Sequence, residues 1–327
     1  MYSLGAIQRS EDLMRKLRCL VMIFAFSAST STLWAQLSEA QKTAVLMDHD
    51  YDVSPNITYL VANNYGAKLD VYRPNTAKSP TPVVMFIHGG GWVEETKEES
   101  VLELLPYLQM GFAAVNVEYR LAKVSLAPAA VEDCLCALHW IGLNAKKYNF
   151  DLNKVIVTGG SAGGHLALTT AMIPASAGFE NECAYRDDET WNGPWTDARP
   201  KVAAVINWFG ITDVADMLQG APSTRSYAVA WLGSLPNRED LAKRLSPLTY
   251  VRPGLPPILT IHGDADHIVP YAHALRLQEA LNKAGVKNQL FTVPGGGHGD
   301  FTLDQTMKAF EAINTFLAGV GITPLTK

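Results

Sequence analysis

The sequence predicts an α/β fold, a mainly parallel central sheet covered by helices on both faces. Two observations carry that expectation. Short runs rich in valine, isoleucine and alanine alternate with longer helical patterns along most of the chain. Neither an internal repeat nor a linker divides the core, and glycine-rich peptides follow several of the apolar runs. With 327 residues and 48% apolar composition, the chain can bury a full core.

The N-terminus reads as an address. Arg15, Lys16 and Arg18 precede an apolar run from Leu20 to Phe26, and small polar residues lead on to Leu33-Trp34-Ala35-Gln36. That order is the one expected of a secretory signal over residues 1–35, with cleavage after Ala35. Met14 is an alternative start. An N-terminal membrane anchor is the competing reading, but the apolar run falls short of the roughly 20 residues a helix needs to span a bilayer.

Residues 36–327 are then expected to form one domain. Asn56 to Leu60 and Lys68 to Tyr72 look like an antiparallel pair at the sheet edge. Pro82 to His88 and Phe112 to Glu118 read as buried strands, and Ala127 to Ala145 as a helix with Val131, Leu135, Leu138 and Ile141 on one side. Strand Val155 to Thr158, helix Ala162 to Met172 and strand Val202 to Asn207 follow. Strand Pro257 to Ile261, helix Tyr271 to Ala284, strand Gln289 to Val293 and helix Thr302 to Leu317 close the series. Residues 174–200 and 219–256 break the rhythm and read as irregular insertions, the first carrying Trp191 and Trp195. Such insertions serve as lids or substrate walls, or merely decorate the surface.

Of four cysteines, Cys19 lies in the signal, and Cys134 and Cys136 sit two apart on a helix where their side chains diverge. Cys183 is left over, so no disulfide framework is expected, and the lack of C-x-x-C pairs gives no zinc site. A net charge of −5 without a basic stripe argues against a nucleic-acid partner.

Three peptides carry chemistry, each at the end of a strand, where open α/β sheets bind ligands. Gly159-Gly-Ser161-Ala-Gly163 fits the G-x-S-x-G pattern, whose small residues let a serine sit on a sharp strand-to-helix turn. In His88-Gly-Gly-Gly-Trp92 the glycines bring backbone amides close to a reacting group. The amides of Gly90 and Gly91, with that of Ala162, are the expected donors to a developing oxyanion. His88 is expected to hold this loop by hydrogen bonds. Trp92 is expected to line the acyl side, with burial in the core as the alternative. Finally, His262-Gly-Asp264-Ala-Asp266 and Pro294-Gly-Gly-Gly-His298-Gly299 follow the last two strands. A serine nucleophile needs a histidine base and a carboxylate to orient it, here in the chain order Ser, Asp, His.

With these peptides in place, the chain resembles α/β-hydrolases of the carboxylesterase group that includes hormone-sensitive-lipase-like enzymes. More narrowly it is similar to the BD-FAE branch, the bifunctional feruloyl and acetyl-xylan esterase-like hydrolases. The resemblance also rests on Tyr119-Arg-Leu-Ala122, the continuation of the serine turn to Ala167, Phe209-Gly-Ile-Thr-Asp213 and His262 to Pro270. Gly160 stands before the serine where many hormone-sensitive-lipase-like members carry Asp, which favours the BD-FAE branch. The resemblance implies an α/β-hydrolase fold and a triad of Ser161, Asp266 and His298, with Asp266 rather than Asp264 as the acid. It implies hydrolysis of short-acyl esters, acetyl or feruloyl, of carbohydrates or small molecules, and the signal-like N-terminus leads to the expectation of a secreted or periplasmic protein. No cofactor or metal and no stable membrane insertion after signal removal are expected, and the sequence sets no oligomeric state. An arylformamidase or amidase on the same triad, or a non-catalytic binding protein on the same fold, are the alternatives.

Overall fold

A computed structural model describes residues 38–184, 199–220, 222–234 and 236–323. The expected signal segment, Trp191 and Trp195 therefore lie outside the described residues. The chain divides into two compact units, Met1–His49 and Asp50–Lys327. Helix α1 (Glu39–Asp50) opens on a reciprocal cap. Gln41 N donates to Ser38 Oγ (3.2 Å), and Ser38 N donates to Gln41 Oε1 (2.8 Å). No helix among the described residues is long and apolar enough to cross a membrane.

The second unit begins with β1 (Tyr51–Ala62) and β2 (Tyr65–Pro74), then β3 (Thr81–Ile87), α2 (Val101–Gln109), β4 (Ala113–Val117) and α3 (Ala129–Tyr148). Next come β5 (Phe150–Gly160), α4 (Ala162–Met172) and β6 (Val202–Trp208). Three helices follow, α5 (Val214–Met217), α6 (Pro222–Leu232) and α7 (Arg238–Arg244). The chain then runs through β7 (Ile258–Gly263), α8 (Ala272–Lys283), β8 (Asn288–Val293) and α9 (Leu303–Gly319). The sheet has eight strands in the order β1-β2-β4-β3-β5-β6-β7-β8. Among the described residues only the β1–β2 and β2–β4 pairings are antiparallel. All residues of β3, β4 and β7 are buried, as expected of strands covered on both faces.

Three expectations need correction. The stretch 219–256 is not irregular throughout: its described residues include the helices α6 and α7 and a 3-10 turn at Pro247–Tyr250. In α7, Glu239 and Asp240 occupy the first turn and Lys243 and Arg244 the last, so its charges complement the helix dipole. Its apolar residues are too few to show a helical period in sequence. Helix α2 was not expected at all, because Pro106 in its interior reads as a breaker. Cys183 is not left over: it pairs with Cys136, closing a loop across 47 residues of sequence. Cys134 and Cys136 do diverge as expected, Cys134 remaining free and buried. The partner of Cys136 was invisible because it arrives from the turn Asn181–Ala184, a contact no local period encodes.

Arg120 joins the same region. Its guanidinium, 1% exposed, bonds Asp133 on α3 through Nε and Nη2 and also bonds Glu182 beside the disulfide. Buried charge is tolerated there because it is paired in bidentate fashion.

Candidate active site

Ser161 stands between β5 and α4 with φ 56° and ψ −119°, a sparsely populated conformation for a non-glycine residue. The turn is possible because its neighbours lack side chains. A Cβ on Gly163 would lie 2.1 Å from the Ile87 carbonyl oxygen, and one on Gly159 would lie 2.3 Å from the same atom. Helix α4 therefore rests directly on the end of β3, which brings the His88–Trp92 loop beside the serine.

His298 Nε2 is 2.8 Å from Ser161 Oγ, and His298 Nδ1 is 2.8 Å from Asp266 Oδ2. The other carboxylate oxygen accepts the amides of Ile268 (2.8 Å) and Val269 (2.9 Å). Burial alone would raise the Asp266 pKa, but bonds from His262, His298 and the Val269 amide outweigh it and hold the carboxyl far below the usual range. His262 takes part through Nε2, which is 2.8 Å from the Val269 carbonyl and 3.2 Å from Asp266 Oδ2. Its contribution was not anticipated, although it opens the same sequence motif. Asp264 sits elsewhere and accepts the Gly295 amide at 2.6 Å as a turn cap. The His298 loop is also tied to α9. Gln305, the third residue of a Thr302 capping box, donates to the Pro294 carbonyl at 2.9 Å.

The amides of Gly90, Gly91 and Ala162 have no hydrogen-bond acceptor among the described residues. Their directions follow from peptide planarity, which sets each N–H opposite the carbonyl of its own peptide unit. The Gly89 carbonyl is held by the Tyr119 hydroxyl (2.5 Å), so the Gly90 N–H faces the other way. The Gly90 carbonyl accepts from Val93 (3.0 Å) and Glu94 (3.1 Å), which fixes the Gly91 N–H in turn. Ala162 is the first residue of α4, where an amide has no partner within the helix.

His88 differs from expectation. Its ring nitrogens lack hydrogen-bond partners of ordinary geometry. It holds the loop by stacking on Tyr119, with ring centroids 4.2 Å apart. Burial lowers its pKa to about 4, so it stays neutral. Trp92 is 1% exposed, stacks on Trp231 of α6 at 4.3 Å and donates to His165 Nδ1 at 3.2 Å. It touches the cleft but belongs mainly to the core.

A cleft of about 320 Å³ opens over Ser161 and His298. Ile211, Met217, Ile268 and Val269 form an apolar wall. Glu94, Glu95 and Glu103 line another part, and burial followed by the charge of Glu95 raises the Glu103 pKa to about 6. Tyr227, supplied by α6, closes over Gly91: a Cβ there would lie 2.3 Å from its ring. Chemically, the array can move a proton from Ser161 to His298 and receive a negative oxygen on three amides.

The sheet order, the strained serine turn and the order of the three polar residues define the class of α/β-hydrolase-fold proteins. The comparisons agree. Residues 69–281 match the BD-FAE family, and the chain belongs to it. It is 28% identical over 260 residues to Esterase LipC of Mycobacterium tuberculosis (strain ATCC 25618 / H37Rv), covering 76% of this chain and 61% of that protein. Against Esterase LipQ of the same organism the identity is 26% over 300 residues, covering 86% of this chain and 68% of the relative. The chain thus spans about two thirds of the length of these relatives. Among solved structures, a truncated form of a carbohydrate esterase from gut microbiota is similar with TM-score 0.66 and 29% identity, over 83% of this chain and 97% of that one. The butyrate-bound esterase Est2 of Thermogutta terrifontis is similar with TM-score 0.67 and 25% identity, over 89% of this chain and all of that one.

Proposed function

We propose that this chain is a serine carboxylic-ester hydrolase that removes short acyl groups, acetyl above all, from carbohydrate or small-molecule alcohols outside the cytoplasm. The observation that carries the proposal is the unbroken line Ser161–His298–Asp266, with 2.8 Å at both contacts, beside three free amides. The esterase names of the relatives support the reaction class.

In this reading His298 takes the hydroxyl proton as Ser161 Oγ attacks the ester carbonyl, and Asp266 stabilises the imidazolium. The tetrahedral oxyanion is received by Gly90, Gly91 and Ala162. Collapse breaks the ester C–O bond, and the leaving alcohol takes the proton from His298. Water then attacks the acyl-serine, gives its proton to His298, and Ser161 is regained as the acid departs. Neutral imidazole is needed at each proton acceptance.

The carbohydrate alcohol is supported by the carboxylates of Glu94, Glu95 and Glu103 in the cleft, which can accept sugar hydroxyls. The Cys136–Cys183 disulfide and the signal-like residues 1–35 support work in an oxidising compartment. An aromatic acyl group such as feruloyl is the second reading. A neighbouring cavity of about 370 Å³, lined by Phe86, Tyr107, Trp208, Phe301 and Phe310, shares Gly160 and Phe209 with the cleft and favours it.

The test is a panel of acetyl, butyryl and long-chain esters, acetylated xylan, a feruloyl ester and formylkynurenine, with Ser161→Ala as control. Acetyl esters should be hydrolysed fastest. A preference for long-chain esters would refute the acyl assignment, and activity confined to formylkynurenine would establish the formamidase alternative.

A further inference from the structure

Glu95 occupies a backbone position that suits glycine, with φ 66°, although it carries a long charged side chain. A strained non-glycine residue at the wall of a reactive cleft calls for a reason, and its contacts supply one. Its carboxylate Oε2 accepts the Gly89 amide at 3.0 Å. Its stem lies over the next glycine: a Cβ on Gly90 would meet Glu95 Cβ and Cγ at 3.0 Å. The carboxylate reaches the Gly89 end of the loop from one direction, while the Tyr119 hydroxyl holds the Gly89 carbonyl from another.

We infer that Glu95 is a positioning residue for the oxyanion-binding loop, closing residues 89–95 into a ring that keeps the Gly90 and Gly91 amides aimed at the cleft. The inference rests on the ester-hydrolase reading. It assigns the benefit to geometry, not to charge. A carboxylate near a developing oxyanion opposes it electrostatically, so the negative charge of Glu95 cannot be what the site gains there. Around the carboxyl, the facing groups are the Gly89 amide, Glu94 and Glu99 on its own segment, Glu103 on α2 and His298 across the cleft. Burial and the neighbouring glutamates raise its pKa, whereas the Gly89 amide and His298 lower it. A neutral side chain with an acceptor oxygen at the same distance should do the same work.

Two substitutions separate the possibilities. Glu95→Gly removes the link to Gly89 while relieving the backbone strain, so the fold should keep its Tm. Glu95→Gln restores an acceptor of the same length without the charge. Steady-state hydrolysis of p-nitrophenyl acetate should show kcat falling about tenfold in Glu95→Gly, since one loosened donor costs less than the 10²–10³ of a deleted one, with KM within about twofold. Glu95→Gln should recover most of that loss. A Glu95→Gly variant with kcat within about twofold of the parent would overturn the inference. So would a Glu95→Gln variant no better than Glu95→Gly, a loss carried by KM, or a fall in Tm that accounts for the lost rate. Parent and Ser161→Ala run alongside: a parent inactive on esters, or an active Ser161→Ala, marks failure of the ester-hydrolase reading itself.

Discussion

Acidifying the protein from pH 7 to pH 4.5 should test how His165 is held inside the fold. The imidazole is fully buried on α4, with Nε2 2.8 Å from the Leu245 carbonyl and Nδ1 accepting the Trp92 indole N–H at 3.2 Å. These partners fix the neutral form with its proton on Nε2, because protonating Nδ1 would turn the Trp92 contact into a clash of two donors. Burial, partly offset by the Leu245 carbonyl, lowers the pKa to about 4. The unfolded chain takes up a proton near pH ~6.5. The unfolded state therefore binds more protons between these values, and stability must fall as pH drops from ~6.5 toward 4. For His165 alone the loss by pH 4.5 is about 2 kcal/mol, from a folded pKa of about 4 and an unfolded one of ~6.5.

Other groups titrate in the same range. His88 and His273 are also lowered to about 4 by burial and add losses of the same sign. Burial raises Glu132 to about 7 and Glu103 to about 6, which favours the folded state in acid. A comparison with His165→Asn cancels these contributions. Urea unfolding at both pH values should show the variant weaker at pH 7, but with a pH-dependent loss smaller than the parent's by about 2 kcal/mol. Equal losses in the two proteins would refute the neutral, hydrogen-bonded state assigned to His165.

Asp266→Asn should lower kcat by about 10⁴, because the carboxylate fixes the His298 tautomer, whereas Asp264→Asn should cost only about 1 kcal/mol of stability through its turn cap. Steady-state kinetics with parallel thermal melts check both, and equal kinetic losses would reverse the assignment. Cys136→Ser with Cys183→Ser should destabilise the fold by about 4 kcal/mol in the chain-entropy account of a loop this long, while kcat stays close to the parent's. Urea melts of the double variant measure it, and an unchanged midpoint would show that the loop is held by the Arg120 ion pairs instead.

How much the sequence disclosed follows the range of the forces involved. The alternating runs located β3 to β8 and the helices α3, α4, α8 and α9, most of them to within a few residues, because burial on both faces of a parallel strand leaves a continuous apolar run; α2 and the helices between β6 and β7 were not located. The Ser161, Asp266 and His298 positions were legible for a different reason: each lies at a strand end, where small residues are imposed by close backbone approach. Features that depend on residues distant in sequence were not legible. The Cys136–Cys183 pair joins α3 to a turn 47 residues later, and the stack of Trp92 on Trp231 brings α6 over the glycine loop. His88 was recognised as part of the loop, but its mode of holding was not, since stacking on Tyr119 leaves no sequence period. Glu95 reads as one acid among several in Glu94 to Glu99, and only its positive φ and its bond to Gly89 distinguish it.

The central claim is a covalent acyl-enzyme on Ser161 formed with His298 as base. Acid-quenched mixtures of the protein and p-nitrophenyl acetate, digested and read by mass spectrometry, test it directly. The account predicts one acetyl group on the peptide containing Ser161 in the parent and none in Ser161→Ala, which should also lose ester hydrolysis. An acetyl group confined to another residue, or undiminished hydrolysis by Ser161→Ala, would contradict it.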